Sequence, residues 1–140
     1  AGVGAIFSQR LSAGEPLVIF GDGDQTRDYA YVKDIVSANM LVSEVDLDGA
    51  TAPEGATPMD GAAFNVGTGQ GVSVNRLADI LEDVADARPG REYEPARPGE
   101  LRHSRLDTRR LEALGWSSQW TLEEGLRDTY EHIAQRRGTS

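Results

Sequence analysis

Two arginines in loops are the side chains of this chain best suited to bind an anion. Arg27 follows a glycine-punctuated acidic turn, and Arg97 opens the segment Arg-Pro-Gly-Glu that ends at Glu100. A guanidinium stays charged at any working pH and can hold a phosphate through two parallel hydrogen bonds. The proline and glycine favour a turn that aims Arg97 and Glu100 at a common point. The alternative is a solvated Arg27 and a surface ion pair between Arg97 and Glu100, worth under about 1 kcal/mol.

The acidic turn before Arg27 could instead suggest a calcium loop, because Asp22, Asp24 and Asp28 are closely spaced. An EF-hand loop that starts at Asp22 needs glycine at its sixth position and glutamate at its twelfth. The sequence has Arg27 and Lys33 at those positions. We therefore expect no metal site.

The glycine-rich stretch 67–71 suggests a dinucleotide site, because it follows a predicted strand and precedes a predicted helix. The G-x-G-x-x-G fingerprint needs its third glycine at position 72, where the sequence has Val72. We predict a structural turn here. His103 is a candidate catalytic base, but no neighbour in sequence would tune it, so we predict a structural role.

Hydrophobic periodicity predicts an α/β chain, and the length suits a single domain over residues 1–140. Ser73, Asp34 and Asp107 are predicted N-caps, and Thr121 with Glu124 is a predicted capping box. The second helix is apolar nearly all round, so we expect it to be covered on more than one side. Residues 48–62 are predicted to form a flexible surface loop. The predicted helices are 3–13, 35–45, 74–87, 108–114 and one beginning after Thr121, and the predicted strands are 17–20, 63–66 and 91–95.

Composition excludes several classes of function. The 140 residues carry a net charge of −9, which argues against nucleic acid. No apolar run approaches the ~20 residues of a membrane span, there is no cysteine, and the amino terminus lacks a signal-peptide pattern. We expect a cytoplasmic chain with no nucleic-acid or membrane partner. It begins with Ala1, which suits a processed product or a piece of a longer chain.

A family resemblance becomes visible along residues 21–34, Gly-Asp-Gly-Asp-Gln-Thr-Arg-Asp-Tyr-Ala-Tyr-Val-Lys-Asp. This segment resembles the one that opens the substrate-binding region of NAD-dependent nucleotide-sugar epimerases and dehydratases, in the extended short-chain dehydrogenase family. The stretches 65–69 and 97–104 continue the resemblance, which covers nearly the whole chain but only the second half of the family's enzymes. It implies a small mixed α/β substrate-binding region that lacks the amino-terminal Rossmann half.

The resemblance also implies a set of substrate-binding residues. Arg27 and Arg97 would bind the diphosphate of a UDP- or dTDP-sugar, and Glu100 would accept hydrogen bonds from the ribose hydroxyls. Val18 and Phe20 would lie against the uracil, contacting it largely through backbone groups.

The family's catalytic Tyr-x-x-x-Lys, its nearby Ser or Thr and its NAD site would belong to the absent half. There the tyrosine takes the sugar hydroxyl proton while NAD oxidises the sugar at C4 and returns the hydride to the other face. Tyr29 and Lys33 have the right spacing but lie inside the substrate-region motif. We therefore expect this chain to contain no catalytic or cofactor-binding residue and to be inactive alone.

Residues 98–104 have an acid at Glu100, where the family's dehydratases tend to carry histidine. Within the resemblance, this sequence favours a UDP-glucose 4-epimerase-like isomerase. A 4,6-dehydratase or reductase of the same family is the alternative. From another class, the chain could be a non-catalytic nucleotide-sugar-binding module. The resemblance further implies that the full-length protein is a homodimer, formed through helices outside this chain.

Overall fold

The computed structural model describes residues 2–45 and 63–138, and the predicted loop 48–62 lies outside them. Within the described residues, no helix is long and apolar enough to span a membrane. The same residues form helices and short strands in this order: α1 (Val3–Ser12), β1 (Leu17–Phe20), β2 (Thr26–Arg27), α2 (Val32–Glu44), β3 (Val72–Ser73), α3 (Val74–Ala85), β4 (Arg91–Glu94), α4 (Arg109–Glu112) and α5 (Leu122–Gly138).

The strands form two small two-stranded sheets. β1 pairs in parallel with β4, in a register that places Leu17 opposite Arg91 and Phe20 opposite Glu94. β2 pairs antiparallel with β3. The predicted strands at 17–20 and 91–95 are confirmed. The strand predicted at 63–66 is wrong, because that backbone pairs with no other strand in the described part of the chain, and an apolar run needs such pairing to become a strand.

The main core lies between β1 and helices α1, α3 and α5. Leu17 and Ile19 are fully buried in it, whereas Val18 and Phe20 are only partly buried. Successive side chains of a strand point to opposite faces, so Val18 and Phe20 share the face of β1 that is turned away from this core. The core residues are Phe7, Leu11, Leu17, Ile19, Val74, Leu77, Ala78, Ile80, Leu81 and Leu126.

Two of the predicted helix caps are confirmed. The Ser73 hydroxyl accepts a hydrogen bond from the Arg76 amide at 3.1 Å, which caps α3. At the start of α5, the Thr121 amide donates to the Glu124 carboxylate at 2.9 Å, and the Glu124 amide donates to the Thr121 hydroxyl at 3.2 Å. These reciprocal bonds satisfy amides that a helix end otherwise leaves unpaired.

The structure places the cap of α4 one residue after the predicted Asp107. Thr108 occupies the cap position of α4, and the Asp107 carboxylate accepts from the Arg109 amide at 3.2 Å. The helix is shorter than the predicted 108–114, and Gly115 follows it with a φ of +90°, a conformation that favours glycine.

The predicted cap at Asp34 is wrong. α2 already begins at Val32, so Asp34 lies in its first turn. Asp34 is 1% exposed, and its carboxylate accepts hydrogen bonds from the Ser118 hydroxyl at 2.6 Å and the Gln119 amide at 2.9 Å. Capping is a local interaction, and here a distant loop supplies the donors instead.

Helix α2 is covered on one side and exposed on the other. Its Ala38 packs with Leu111 and Trp116 in a second, smaller core. On another face, the side chains of Val32, Val36 and Met40 are 60%, 51% and 59% exposed. Residues four apart lie above one another on a helix, so these three form an apolar stripe, called the α2 stripe below.

We predict that the α2 stripe makes this chain self-associate. Replacing Val36 and Met40 by serine should weaken self-association about tenfold or more, because each buried apolar side chain contributes roughly 1.5–3 kcal/mol. Light scattering after size-exclusion chromatography, over a range of concentrations, measures the effect. The matched control replaces the exposed Asn39 and Ser43 of the same helix by alanine. Equal association of both double variants and the wild type would contradict the prediction.

Candidate functional site

Three of the predicted substrate-binding residues lie on or against the outer face of β1. The guanidinium carbon of the exposed Arg97 lies 4.0 Å from the ring centroid of Phe20. A cation over an aromatic ring is attracted by its negative face. Val18 lies two residues before Phe20 and shares this face of the strand. The stack therefore holds Arg97 against the strand that bears the two apolar residues.

The other two predicted residues, Arg27 and Glu100, form an ion pair. The Arg27 guanidinium donates to the Glu100 carboxylate at 2.9 Å, and also to the Thr26 carbonyl at 2.8 Å. The two side chains are 29% and 33% exposed, so a ligand can reach both. The alternative considered from sequence paired Glu100 with Arg97, whereas the structure pairs it with Arg27. The two hydrogen bonds use two of the five N–H donors of the guanidinium.

A turn joins the two groups of residues. The Glu100 amide donates to the Arg97 carbonyl at 3.3 Å, and Gly99 has a φ of +77°. This conformation strains any residue with a Cβ atom, so glycine is needed at that position. The predicted turn is confirmed. It begins at Arg97, one of the two phosphate-binding candidates, and ends at Glu100, which pairs with the other candidate, Arg27.

Strand β2 holds the loop 97–104 beside Arg27. The Thr26 amide donates to the Arg102 carbonyl at 2.9 Å, and the Ser104 amide donates to the Thr26 carbonyl at 3.1 Å. The Thr26 hydroxyl lies 3.0 Å from Nδ1 of His103. His103 therefore makes a structural contact between the two segments, as predicted.

Asp28 is the residue of this region that the sequence analysis missed. One carboxylate oxygen accepts from the Thr68 amide at 2.8 Å and from the Thr68 hydroxyl at 2.7 Å. The other accepts from the Gly69 amide at 2.9 Å. The stretch 67–71 is thus a structural turn, as predicted, and its amides bind a side chain of this same chain. The available signal was an acidic residue directly after Arg27 and a distant turn rich in amide donors.

The acidic turn is organised by hydrogen bonds. The Asp22 carboxylate accepts from the Asp24 amide at 2.9 Å and from Arg102 at 2.7 Å. The Arg102 guanidinium, with help from the Asp24 amide, holds the pKa of Asp22 below its usual value. Among residues 2–45 and 63–138, no group of three or more metal-ligating side chains is close enough to hold an ion.

Tyr29 and Lys33 have different surroundings. Lys33 is the second residue of α2, and its ammonium lies 4.5 Å from the Trp120 ring centroid and 3.4 Å from the Asp128 carboxylate. The Tyr29 hydroxyl is buried without a hydrogen-bond partner among the described residues, and burial raises the pKa of this phenol. The structure assigns Lys33 to a contact with α5 and its preceding loop.

Comparison with known proteins identifies relatives over nearly the whole chain. The family described as GDP-mannose 4,6 dehydratase matches residues 5–129. A UDP-glucose 4-epimerase of Mycolicibacterium smegmatis is 44% identical over 137 residues, covering 97% of this chain and 40% of that protein. The chain therefore spans about 40% of the length of this curated relative.

Two solved structures show the same fold. One is a UDP-glucose 4-epimerase from Thermotoga maritima with UDP-glucose, with a TM-score of 0.80 and 38% identity over 100% of this chain and 41% of that one. The other is a Thermus thermophilus UDP-glucose 4-epimerase in complex with NAD, with a TM-score of 0.78 and 31% identity over 99% of this chain and 40% of that one. The predicted fold class, a mixed α/β region that matches only part of such enzymes, is confirmed.

We predict that replacing Arg102 by glutamine raises the pKa of Asp22 towards 3.8, because it removes the main cause of the depression. A carboxyl group with a depressed pKa in the folded state stabilises the fold above its unfolded pKa. That stabilisation is lost as the pH falls through the lower folded value. The effect on stability should be small, because both side chains are more than half exposed. Carboxyl-carbon NMR titration measures the pKa directly.

The control for that titration is Arg88→Gln, because Arg88 pairs with Glu82 and Asp83 instead. It should leave the Asp22 titration unchanged. If Asp22 titrates identically in the Arg102 variant and the wild type, the ion pair does not exist in solution.

Proposed function

Because the chain belongs to the extended short-chain dehydrogenase family of nucleotide-sugar epimerases and dehydratases, we propose that it binds the nucleoside diphosphate part of a UDP- or dTDP-sugar. The observation that carries this proposal is the loop 97–100, which places Arg97 on Phe20 and Glu100 on Arg27. Two arginines on either side of one four-residue turn suit a ligand with two adjacent phosphates. Such local positive charge outweighs a distant acidic surface, which salt screens.

In this proposal Arg27 and Arg97 bind the diphosphate. A guanidinium donates its hydrogen bonds in its own plane, so Arg97 can stay stacked on Phe20 while its edge meets a phosphate oxygen. The stack then fixes the plane of Arg97 before the ligand arrives. Val18 and Phe20 line the path of the base along β1, with backbone groups of the strand as its hydrogen-bonding partners.

Glu100 binds the ribose in the same scheme. One of its oxygens accepts from Arg27, and the other can accept from a ribose hydroxyl. Keeping the Arg27 bond holds the carboxylate in place and offsets its charge beside the phosphates.

The glycine-rich stretch 67–71 does not fit the pyrophosphate of NAD. A dinucleotide fingerprint works by offering free backbone amides to a pyrophosphate. In the stretch 67–71, the Thr68 and Gly69 amides already donate to Asp28, and the carboxylate beside them would repel an anion. We therefore propose that NAD, which the structure of the Thermus thermophilus relative contains, binds to a part of the family's enzymes that this chain does not include.

For the whole protein we propose NAD-dependent epimerisation at C4 of the sugar, with this chain holding the nucleotide. A 4,6-dehydratase is the second candidate, favoured by the description of the matching family. The acid at Glu100 and the identity with the Mycolicibacterium smegmatis epimerase support the first. A non-catalytic binding module would bind the same ligand without either reaction.

We predict that affinity falls in the order UDP, UMP, uridine, because each phosphate removed loses charge-assisted hydrogen bonds. Arg27→Ala and Arg97→Ala should each cost about 2–3 kcal/mol, roughly 30- to 150-fold in affinity for UDP. Isothermal titration calorimetry measures both effects.

Arg88→Ala is the matched control, because this arginine is paired with carboxylates outside the proposed site. It should change the affinity for UDP less than twofold. Equal affinity of the wild type for UDP and uridine, or the same loss in all three arginine variants, would contradict the proposal.

We predict that this chain alone neither epimerises UDP-glucose nor retains NAD. Hydride transfer needs a nicotinamide held against the sugar and a base that removes the hydroxyl proton. The assay measures UDP-galactose formation from UDP-glucose and NAD by the purified chain. It is then repeated after adding the separately expressed amino-terminal part of a relative. Turnover by the chain alone would refute the prediction, whereas turnover only on mixing would support it.

A further inference from the structure

Asp28 directly follows the phosphate-binding candidate Arg27 and contacts a segment that is far from it in sequence. Three donors of the turn 67–69 converge on its carboxylate at 2.7–2.9 Å: the Thr68 amide, the Thr68 hydroxyl and the Gly69 amide. The Leu106 amide makes a longer, fourth contact at 3.4 Å. Asp28 thus connects the arginine segment with the turn 67–69 and with the chain that leaves the loop 97–104.

The approach of the turn to Asp28 leaves no space for another side chain. A Cβ atom added to Gly67 would lie 2.7 Å from Oδ2 of Asp28 and 3.0 Å from a methyl carbon of Leu106. Only glycine allows the three segments to meet here. The contact is therefore close-packed at the buried Gly67, and the hydrogen bonds of Asp28 beside it are partly buried.

This junction and strand β2 hold Arg27 from both sides. On the amino-terminal side, Thr26 is bonded to the backbone of Arg102 and Ser104. Arg27 itself pairs with Val72 of β3. On the carboxy-terminal side, Asp28 is anchored to Thr68 and Gly69. A strand of only two residues has few hydrogen bonds of its own, so the Asp28 anchor supplies much of what keeps the Arg27 backbone in place.

We propose that Asp28 is a positioning residue for phosphate binding. It holds the Arg27 backbone against the turn 67–69, and so keeps Arg27 in register with Glu100 and the loop 97–104. Binding then does not have to order the arginine segment, which otherwise costs affinity. This inference rests on the proposed function, because it assigns to Asp28 an effect on the phosphate contacts of that same site.

The test is a double-mutant cycle between Asp28→Asn and Arg27→Ala. Asparagine keeps the shape of aspartate but places an NH₂ group against N–H or O–H donors. The quantity measured is the ratio of the dissociation constants of uridine and UDP, which reports the phosphate contacts alone. Asp28→Asn should lower this ratio about tenfold in the wild-type background. In the Arg27→Ala background Asp28→Asn should lower the ratio less than twofold, because the side chain that Asp28 positions is then missing. The effects of mutations at coupled residues do not add.

Asp34→Asn is the matched control. Asp34 is also a carboxylate that accepts from three donors of a distant segment: the Ser118 hydroxyl and the Gln119 and Trp120 amides. It should lower the melting temperature but leave the uridine-to-UDP ratio unchanged. An equal loss of the ratio in the Asp34 variant, or in both Arg27 backgrounds, would overturn the proposal.

Two further measurements keep the test decisive. If Asp28→Asn does not fold, Thr68→Val removes one of the three donors and should lower the ratio about threefold, and no change would overturn the proposal. If the wild-type ratio is near one, the proposed function fails. Hydrogen exchange then decides whether Asp28 holds the Arg27 segment in place. Faster exchange of the Thr26 and Ser104 amides in the Asp28 variant than in the Asp34 variant supports it, and equal exchange overturns it.

Discussion

The parallel pairing of β1 with β4 is the constraint on which the candidate site depends. It places Phe20 opposite Glu94, and the Gly21 amide continues the ladder by donating to the Glu94 carbonyl at 2.8 Å. Arg97 is the third residue after Glu94, so the register of the strands brings Arg97 over the Phe20 ring. Leu17 and Ile19, buried on the other side of β1, keep the strand in that register, because a shift by one residue would expose both of them.

Two aspartates fix the chain after β2: Asp28 directly follows the strand, and Asp34 lies in the first turn of α2. Asp28 and Asp34 each accept hydrogen bonds from a distant segment, Asp28 from the turn 67–69 and Asp34 from residues 118–120. A carboxylate taken out of water is costly unless hydrogen bonds replace those of water, so each position is stable only with its own set of donors. This requirement makes the aspartates specific as well as stabilising.

The elements that could be predicted from sequence depend on neighbours along the chain. The strand Leu17–Phe20, the Ser73 cap and the Thr121–Glu124 box follow from residues at most a few positions apart, and the structure confirms them. The roles of Asp28 and Asp34 depend on partners 40 and 84 residues away, which spacing alone does not show. For the same reason the turn at 97–100 could be predicted from sequence and the two arginines named as candidates, but the pairing of Glu100 with Arg27 could not be predicted.

The Arg27–Glu100 pair also bears on which ligands the proposed site would favour. An anion that binds Arg27 meets the negative charge of Glu100 at the same guanidinium, so a free phosphate gains one partner and loses part of the benefit to repulsion. A nucleoside diphosphate carries ribose hydroxyls that can donate to Glu100, which converts the repelling group into a binding one. The pair is partly exposed and can rearrange at little cost, since such ion pairs contribute at most about 1 kcal/mol. The selectivity of the proposed site for nucleotides over simple phosphates would thus arise from an acid placed beside the phosphate arginine.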